Sequence, residues 1–286
     1  MYRLLEGDVG TGKTIVAITC LFANKLRDNQ GAFMVPTDTL ARQQYHDLTK
    51  LLSENTYPGR GIVIGKSADG KSAMIAYFIM GRSVNSRNRI FEMHERGMRT
   101  KAFDESKLSD PHLIIYNPYL KAKNGLVDII TNGDQTDTIY DYVEGESGTV
   151  HGFEDGLRIR EFEDDAPNFT PRISGILYYC FKRNTFVYKM SIIKSNNGDP
   201  NACQRYFYEY MPLDGIGHFI HTYKCDGSPI PSFTGEPEEV ALPNTAEELA
   251  DICWKNLNED NKVSLFVRQI PLDGSKPTEI IINKNK

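Results

Sequence analysis

From residue 61 onward the apolar positions come in short runs, many alternating with polar ones, each closed by glycine, asparagine or aspartate. This is the pattern of antiparallel strands and tight turns. Residues 61–66 and 71–80 flank Ser67-Ala68-Asp69-Gly70, where an Asp-Gly pair between two apolar runs predicts a hairpin. Residues 73–80 are almost wholly apolar and end at Gly81, so this strand is predicted to be covered on both faces. Further strands are predicted near 112–119 and 126–131, separated by a lysine-rich turn with Asn124-Gly125. Residues 172–181 and 185–194 predict another hairpin around Lys182-Arg183-Asn184, and 217–223, 263–270 and 279–282 supply the last strands. Helical spacing is confined here to 134–143, with Asp137, Thr138 and Asp141 on its polar side, and to 245–257, capped by Asn244 or Thr245. Many antiparallel strands with few helices predict an α+β protein of two packed sheets with helices outside.

The first fifty residues follow another order: a strand at 3–9, a helix at 15–26, a strand at 31–35 and a helix at 37–52. Gly7 and Gly12 stand at P-loop spacing before Lys13 and Thr14. Backbone N–H groups of such a loop cradle phosphates, Lys13 would reach the terminal ones, and the Thr14 hydroxyl would ligate magnesium, so Mg-ATP is the ligand it implies. Hydrolysis also needs a carboxylate that orients water, and no acidic helicase motif follows. The run from Leu4 to Thr14, with Met34-Val35-Pro36-Thr37 and Leu40-Ala41-Arg42-Gln43-Gln44, resembles the first motifs of RecG-type DNA helicases. The chain therefore reads as a helicase-like P-loop fragment over 1–50 and a second domain over 51–286. Two parallel-type strands alone lack the sheet that normally covers them. The helix at 46–54 could belong to either part.

Charge sharpens the picture of the second domain. The net charge of the whole chain is -5, which argues against general nucleic-acid binding. Its distribution is uneven: 57–101 holds nine Lys/Arg against three Asp/Glu, whereas 133–170 holds two against eleven. If the two segments meet, they make a site with an anion-binding half and a carboxylate-bearing half. Three arginines, Arg82, Arg87 and Arg89, interleave with Ser83, Asn85, Ser86 and Asn88 after the apolar strand, a set suited to holding phosphate or carboxylate. The 5 cysteines are scattered without a Cys-x-x-Cys pair, which fits a reduced cytoplasmic protein, and no metal site is expected. His218 and His221 are three apart, on opposite faces of a strand, and are read as structural. With no signal peptide and no apolar run of spanning length, no membrane role is expected.

Four segments in order resemble the IMP cyclohydrolase family: Tyr57-Pro58-Gly59-Arg60-Gly61, Gly81-Arg82-Ser83 with Asn88-Arg89, Thr131-Asn132-Gly133-Asp134, and Asp164-Asp165 through Thr170-Pro171-Arg172-Ile173. The resemblance covers about residues 55–286. It implies the four-layer αββα sandwich of N-terminal-nucleophile hydrolases, used here without their nucleophile, since Tyr57 is not Ser, Thr or Cys. It also implies ring closure of 5-formamidoimidazole-4-carboxamide ribotide to IMP with loss of water, in purine biosynthesis, with no cofactor. On that reading Tyr57 transfers a proton, Arg60 stabilises the oxyanion, and Glu163 orients the carboxamide or Arg60. Arg82, Arg87, Arg89 and Arg172 are phosphate candidates, completed by Ser83, Asn85 and Asn88. Asn132 and Asp134 would read the base or carboxamide, and Thr170 joins the substrate-binding set. A P-loop ATPase and a non-catalytic purine-nucleotide-binding module are the competing functions, and self-association into a homo-oligomer stays open.

Overall fold

The computed structural model describes residues 47–108, 111, 114–145 and 151–285. The P-loop residues Gly7, Gly12, Lys13 and Thr14 and the elements expected over 3–46 lie outside the described residues. The described chain opens with helix α1, Leu48–Glu54, whose first turn is capped by the Asp47 carboxylate accepting from the Thr49 N–H. The expected hairpin follows as β1, Arg60–Lys66, and β2, Ser72–Met80. Its turn is held by the Ser67 hydroxyl donating to Asp69 at 2.7 Å, and Gly70 takes the positive φ that an Asp-Gly turn requires. All nine residues of β2 are buried, as its unbroken apolar run predicts.

A four-residue helix α2, Val84–Arg87, is closed by reciprocal Ser83 and Ser86 hydrogen bonds. An unforeseen hairpin, β3 (Arg89–His94) and β4 (Gly97–Ala102), then takes up the end of the basic stretch. The alternation that would have revealed it is present in β4, where Met98, Thr100 and Ala102 are buried and Arg99 and Lys101 exposed. The strand expected over 112–119 is corrected: residues 114–118 are not strand, and β5 begins at its end, Tyr119–Ala122. β6, Val127–Thr131, and helix α3, Gln135–Glu144, match the prediction. Helix α4, Gly152–Arg158, lies unforeseen in the acidic stretch 133–170, and its Phe153 and Leu157 are buried one helical turn apart. Strands β7, Arg172–Cys180, and β8, Thr185–Asn196, form the expected pair, extended by an unforeseen β9, Asp199–Tyr210. After β10, Ile216–His221, and β11, Glu238–Ala241, comes α5, Ala246–Asn256, capped by Thr245 in a capping box with Glu248. β12, Lys262–Pro271, and β13, Thr278–Asn283, close the described chain.

Among the described residues the strands pair antiparallel, in two sheets ordered β11-β10-β1-β2-β12-β13 and β3-β4-β5-β6-β7-β8-β9. Because side chains alternate along a strand, each sheet offers two apolar faces. One pair of faces meets between the sheets, where Ile62, Ile75 and Tyr77 pack with Leu177, Met190 and Ile192. The outer face of the first sheet, with Val63, Met74 and Phe78, is covered by Leu48 and Leu52 of α1 and Leu249 and Cys253 of α5. The outer face of the second, with Val127, Ile129 and Ile176, is covered by Ile139 of α3 and Phe153 and Leu157 of α4. The expected α+β class, two packed sheets with helices outside, is what the described residues adopt.

Register brings the functional segments together. Arg60 lies opposite Ile79 and Gly61 opposite His221, so β1 starts where β2 and β10 end. In the second sheet Thr131 lies opposite Ser174, so β6 ends where β7 begins.

Candidate active site

The segments at these strand ends, from both sheets, line one cavity of about 260 Å³. Its cationic wall carries Arg60, Arg82 and Arg89, and its acidic wall Asp134, Glu163 and Asp165. The basic and acidic stretches seen in the sequence thus face each other across one cavity.

Arg89 is 2 % exposed, with Nε donating to the Ser86 carbonyl at 3.1 Å and Nη1 without a hydrogen-bond partner. Burial, and then the charge of nearby Arg60, pull its pKa below the usual guanidinium range. Arg60 is only half-buried as a residue, but its Nε is shut off from solvent without a partner. Tyr223, Tyr116, Tyr57 and Tyr77 surround it. Among the described residues neither guanidinium forms a salt bridge, and two like charges in a desolvated site are costly unless an anion joins them. Arg82 stands nearer the rim, bonded to Asp226 at 2.5 Å and placed 5.0 Å above the Tyr57 ring. Ser83, Asn85 and Ser86 line the cavity beside it.

The acidic wall is built differently. Arg172 does not line the cavity; it is bonded behind it to the Glu161 carbonyl at 2.7 Å, Asp134 at 2.6 Å, Gln135 at 2.7 Å and Glu163 at 3.1 Å. Its donors are engaged, and its effect is to fix the two carboxylates. Burial would raise Asp134, but hydrogen bonds and charge from Arg160 and Arg172 more than offset it and hold the carboxyl below its usual range. At Glu163 burial wins: the carboxyl is raised, although Arg172 and Arg60 pull the other way. Two neighbouring carboxylates with oppositely displaced pKa values are a common arrangement for acid and base work.

Tyr57 is 5 % exposed and stacks on Tyr223 with ring centroids 5.8 Å apart. The Tyr223 hydroxyl meets the Thr170 hydroxyl at 2.5 Å, and Thr170 also donates to Asp165 at 2.5 Å, so Thr170 is a link in the wall. Asn132 lines the cavity while its amide joins β6 to β7, accepting from the Ile173 N–H at 2.8 Å and donating to the Pro171 carbonyl at 2.8 Å. Tyr116 bonds the buried Tyr77 hydroxyl at 2.9 Å.

Most sequence-predicted residues therefore converge on the cavity: Tyr57, Arg60, Arg82, Ser83, Asn85, Arg89, Asn132, Asp134, Glu163 and Thr170. Arg172 stands behind its wall, and two others point elsewhere. Arg87 donates to the Gly81 carbonyl and to Asn261, and lines a separate surface cavity with Asp260 and Lys262. Asn88 is buried, donating to the Asp104 carbonyl at 2.7 Å and accepting from the Asp104 N–H at 2.8 Å. The residues missed in the sequence are Tyr116 and Tyr223, which line the cavity, and Arg160, which bonds Asp134. Tyrosines at a strand end look like ordinary packing, and only the chain's return to β1 places Tyr223 beside Tyr57. His218 bonds the Tyr188 hydroxyl at 2.7 Å, and burial pulls its pKa down to about 4, while His221 is held by the Tyr223 carbonyl.

A family model described as DEAD/DEAH box helicase matches residues 3–74. Relatives named ATP-dependent DNA helicase RecG match the same region, 55 % identical over 51 residues in Staphylococcus epidermidis and 49 % over 55 residues in Staphylococcus aureus. These alignments cover 18 % and 19 % of the chain and 8 % of either helicase. The chain thus spans less than a tenth of the length of those curated relatives, and the matched stretch is the one read from Gly7, Gly12, Lys13 and Thr14. A second model, described as IMP cyclohydrolase-like protein, matches 57–274, a range that contains every cavity-lining residue. With three quarters of its length matched by that model, the chain belongs to the IMP cyclohydrolase-like family.

Proposed function

We propose that the protein closes 5-formamidoimidazole-4-carboxamide ribotide to IMP with loss of water. The observation that carries this reading is a pair of guanidiniums, buried Arg89 and half-buried Arg60, that form no salt bridge among the described residues, in the same cavity as a carboxyl of raised pKa. A ribotide brings the missing anion in its 5′-phosphate, and ring closure needs a group that takes a proton and donors that meet a developing oxyanion.

Arg89 and Arg82, with Ser83 and Asn85, hold the phosphate. The carboxamide nitrogen attacks the formyl carbon, a C–N bond forms, and the carbonyl electron pair moves onto oxygen, where Arg60 stabilises it. Glu163 takes the proton that the nitrogen loses. That proton passes to the oxygen with help from Tyr57, the formamido nitrogen gives up its N–H proton as the second, and the oxygen leaves as water while the ring C=N bond forms. No metal, ATP or redox partner enters the balance. The layering, with helices outside two packed sheets, agrees with the sandwich of N-terminal-nucleophile hydrolases. A cytoplasmic location in purine biosynthesis follows from the substrate.

The test is formation of IMP from the formamido ribotide, followed by ultraviolet absorbance without added metal or ATP. No IMP product would overturn the reading. If IMP binds but nothing turns over, the domain is a purine-nucleotide-binding module.

Two smaller expectations belong here. Arg87→Ala should change IMP binding by less than ~1 kcal/mol, because a solvated arginine contributes little. Titration calorimetry checks this, and a larger loss would place the phosphate near the Arg87 cavity. Lys13→Ala and removal of residues 1–44 should leave turnover unchanged, with no ATP hydrolysis above background, since Lys13 and Thr14 supply a phosphate cradle without a water-orienting carboxylate. An ATPase activity abolished by Lys13→Ala would show that the P-loop works.

A further inference from the structure

A second cavity, of about 410 Å³, adjoins the first at the segment that carries Asn168. Asn168 and Ile230 line both cavities and are joined by a hydrogen bond from the Ile230 N–H to the Asn168 side-chain oxygen at 3.1 Å. Lys194 of β8 and Lys224 line the second cavity, together with Ser195, Gln204 and Thr234, and none of its lining residues is acidic.

Lys194 is 9 % exposed. Its ammonium donates to the Phe233 carbonyl at 2.8 Å and stands 5.5 Å from the Tyr206 ring centroid, and among the described residues it forms no salt bridge. An ammonium has three donors, and a neutral carbonyl and an aromatic face do not neutralise its charge. Burial accordingly lowers its pKa. A buried lysine is ordinarily paired. The cavity beside it offers room for a counter-charge, and Lys224, which is exposed, puts a second ammonium on the same lining.

We propose that this second cavity is an anion site, separate from the first, that takes a phosphate group held between Lys194 and Lys224. Two ammonium groups with hydroxyl and amide donors match a phosphate monoester, which carries nearly two negative charges at neutral pH, better than a single carboxylate.

The test does not depend on ring closure. The full chain is titrated with inorganic phosphate, and binding is followed by calorimetry and by amide shifts near Lys194 and Arg89. Two binding events are expected. Lys224→Ala and Lys194→Met should each weaken one of them ~10-fold or more, and Arg89→Met should weaken the other. Because Lys224 is exposed, its variant stays informative even if Lys194→Met fails to fold. A single event lost in Arg89→Met, or two events untouched by Lys224→Ala, would overturn the proposal. Acetate binding as tightly as phosphate would overturn the ligand class.

Discussion

Replacing Arg89 by methionine should weaken IMP binding by ~2 to 5 kcal/mol, as for one partner removed from a desolvated charge pair. The same substitution should leave the thermal stability of the ligand-free protein unchanged or raised. Removing a paired buried charge normally destabilises a fold. Arg89, however, has a nitrogen without a hydrogen-bond partner, no salt bridge among the described residues, and Arg60 as a like-charged neighbour that helps to lower its pKa. Methionine removes the desolvation and repulsion costs and keeps an apolar stem of similar reach. Function and stability thus separate at this residue, as expected where a binding site is maintained against the preference of the fold. Calorimetry with IMP and thermal unfolding of the ligand-free protein give both readings. Unchanged IMP affinity would move the phosphate off this wall, and a large loss of ligand-free stability would mean that Arg89 has a structural partner.

Glu163→Gln should lower kcat by ~10²- to 10⁴-fold, the range in which a positioned acid or base contributes. The pH dependence tests the role more sharply than the magnitude does. Burial raises the Glu163 carboxyl, so the base form is lost as pH falls through a value above the ordinary glutamate range, and the wild-type rate should fall on that acidic limb. In Glu163→Gln the limb should vanish with the group that titrates. Stability carries the opposite sign. Between the unfolded value near ~4.3 and the raised folded value, the native protein binds more protons than the unfolded chain, so stability falls as pH rises through that window. Above it the ionised Glu163 opposes folding, and glutamine, which resembles the neutral acid, should relieve that cost. An acidic limb retained in Glu163→Gln would assign the titration to another group.

The sequence by itself determined the local elements and most of the cavity's chemistry. Asp69-Gly70 could form its hairpin turn alone, Thr245 and Glu248 cap α5 from three residues apart, and the paired apolar runs around Lys182-Arg183-Asn184 specify β7 and β8. Each depends on interactions between near neighbours, which a linear pattern records. The short, half-exposed or irregular elements left weaker traces. β9 is an edge strand with scarcely a fully apolar face, and α4 is seven residues long inside a run of carboxylates.

What only the tertiary structure decided is which charges face one another. Arg87 and Arg89 are two residues apart in one basic stretch, yet α2 turns Arg87 toward Asn261 while Arg89 begins β3 with its guanidinium buried in the cavity wall. Arg172 and Arg82 look equivalent as arginines at strand ends. Pairing of β6 with β7 sets Arg172 behind Asp134 and Glu163, whereas Arg82 reaches the rim. Tyr223 stacks on Tyr57 because β10 pairs with β1, a contact across more than 160 residues that no local pattern encodes. The residue types needed for the site were legible because chemistry restricts them to a few side chains. Their roles were not, because a guanidinium's role depends on whether a carboxylate lies within hydrogen-bond reach, and strand register over long separations sets that distance.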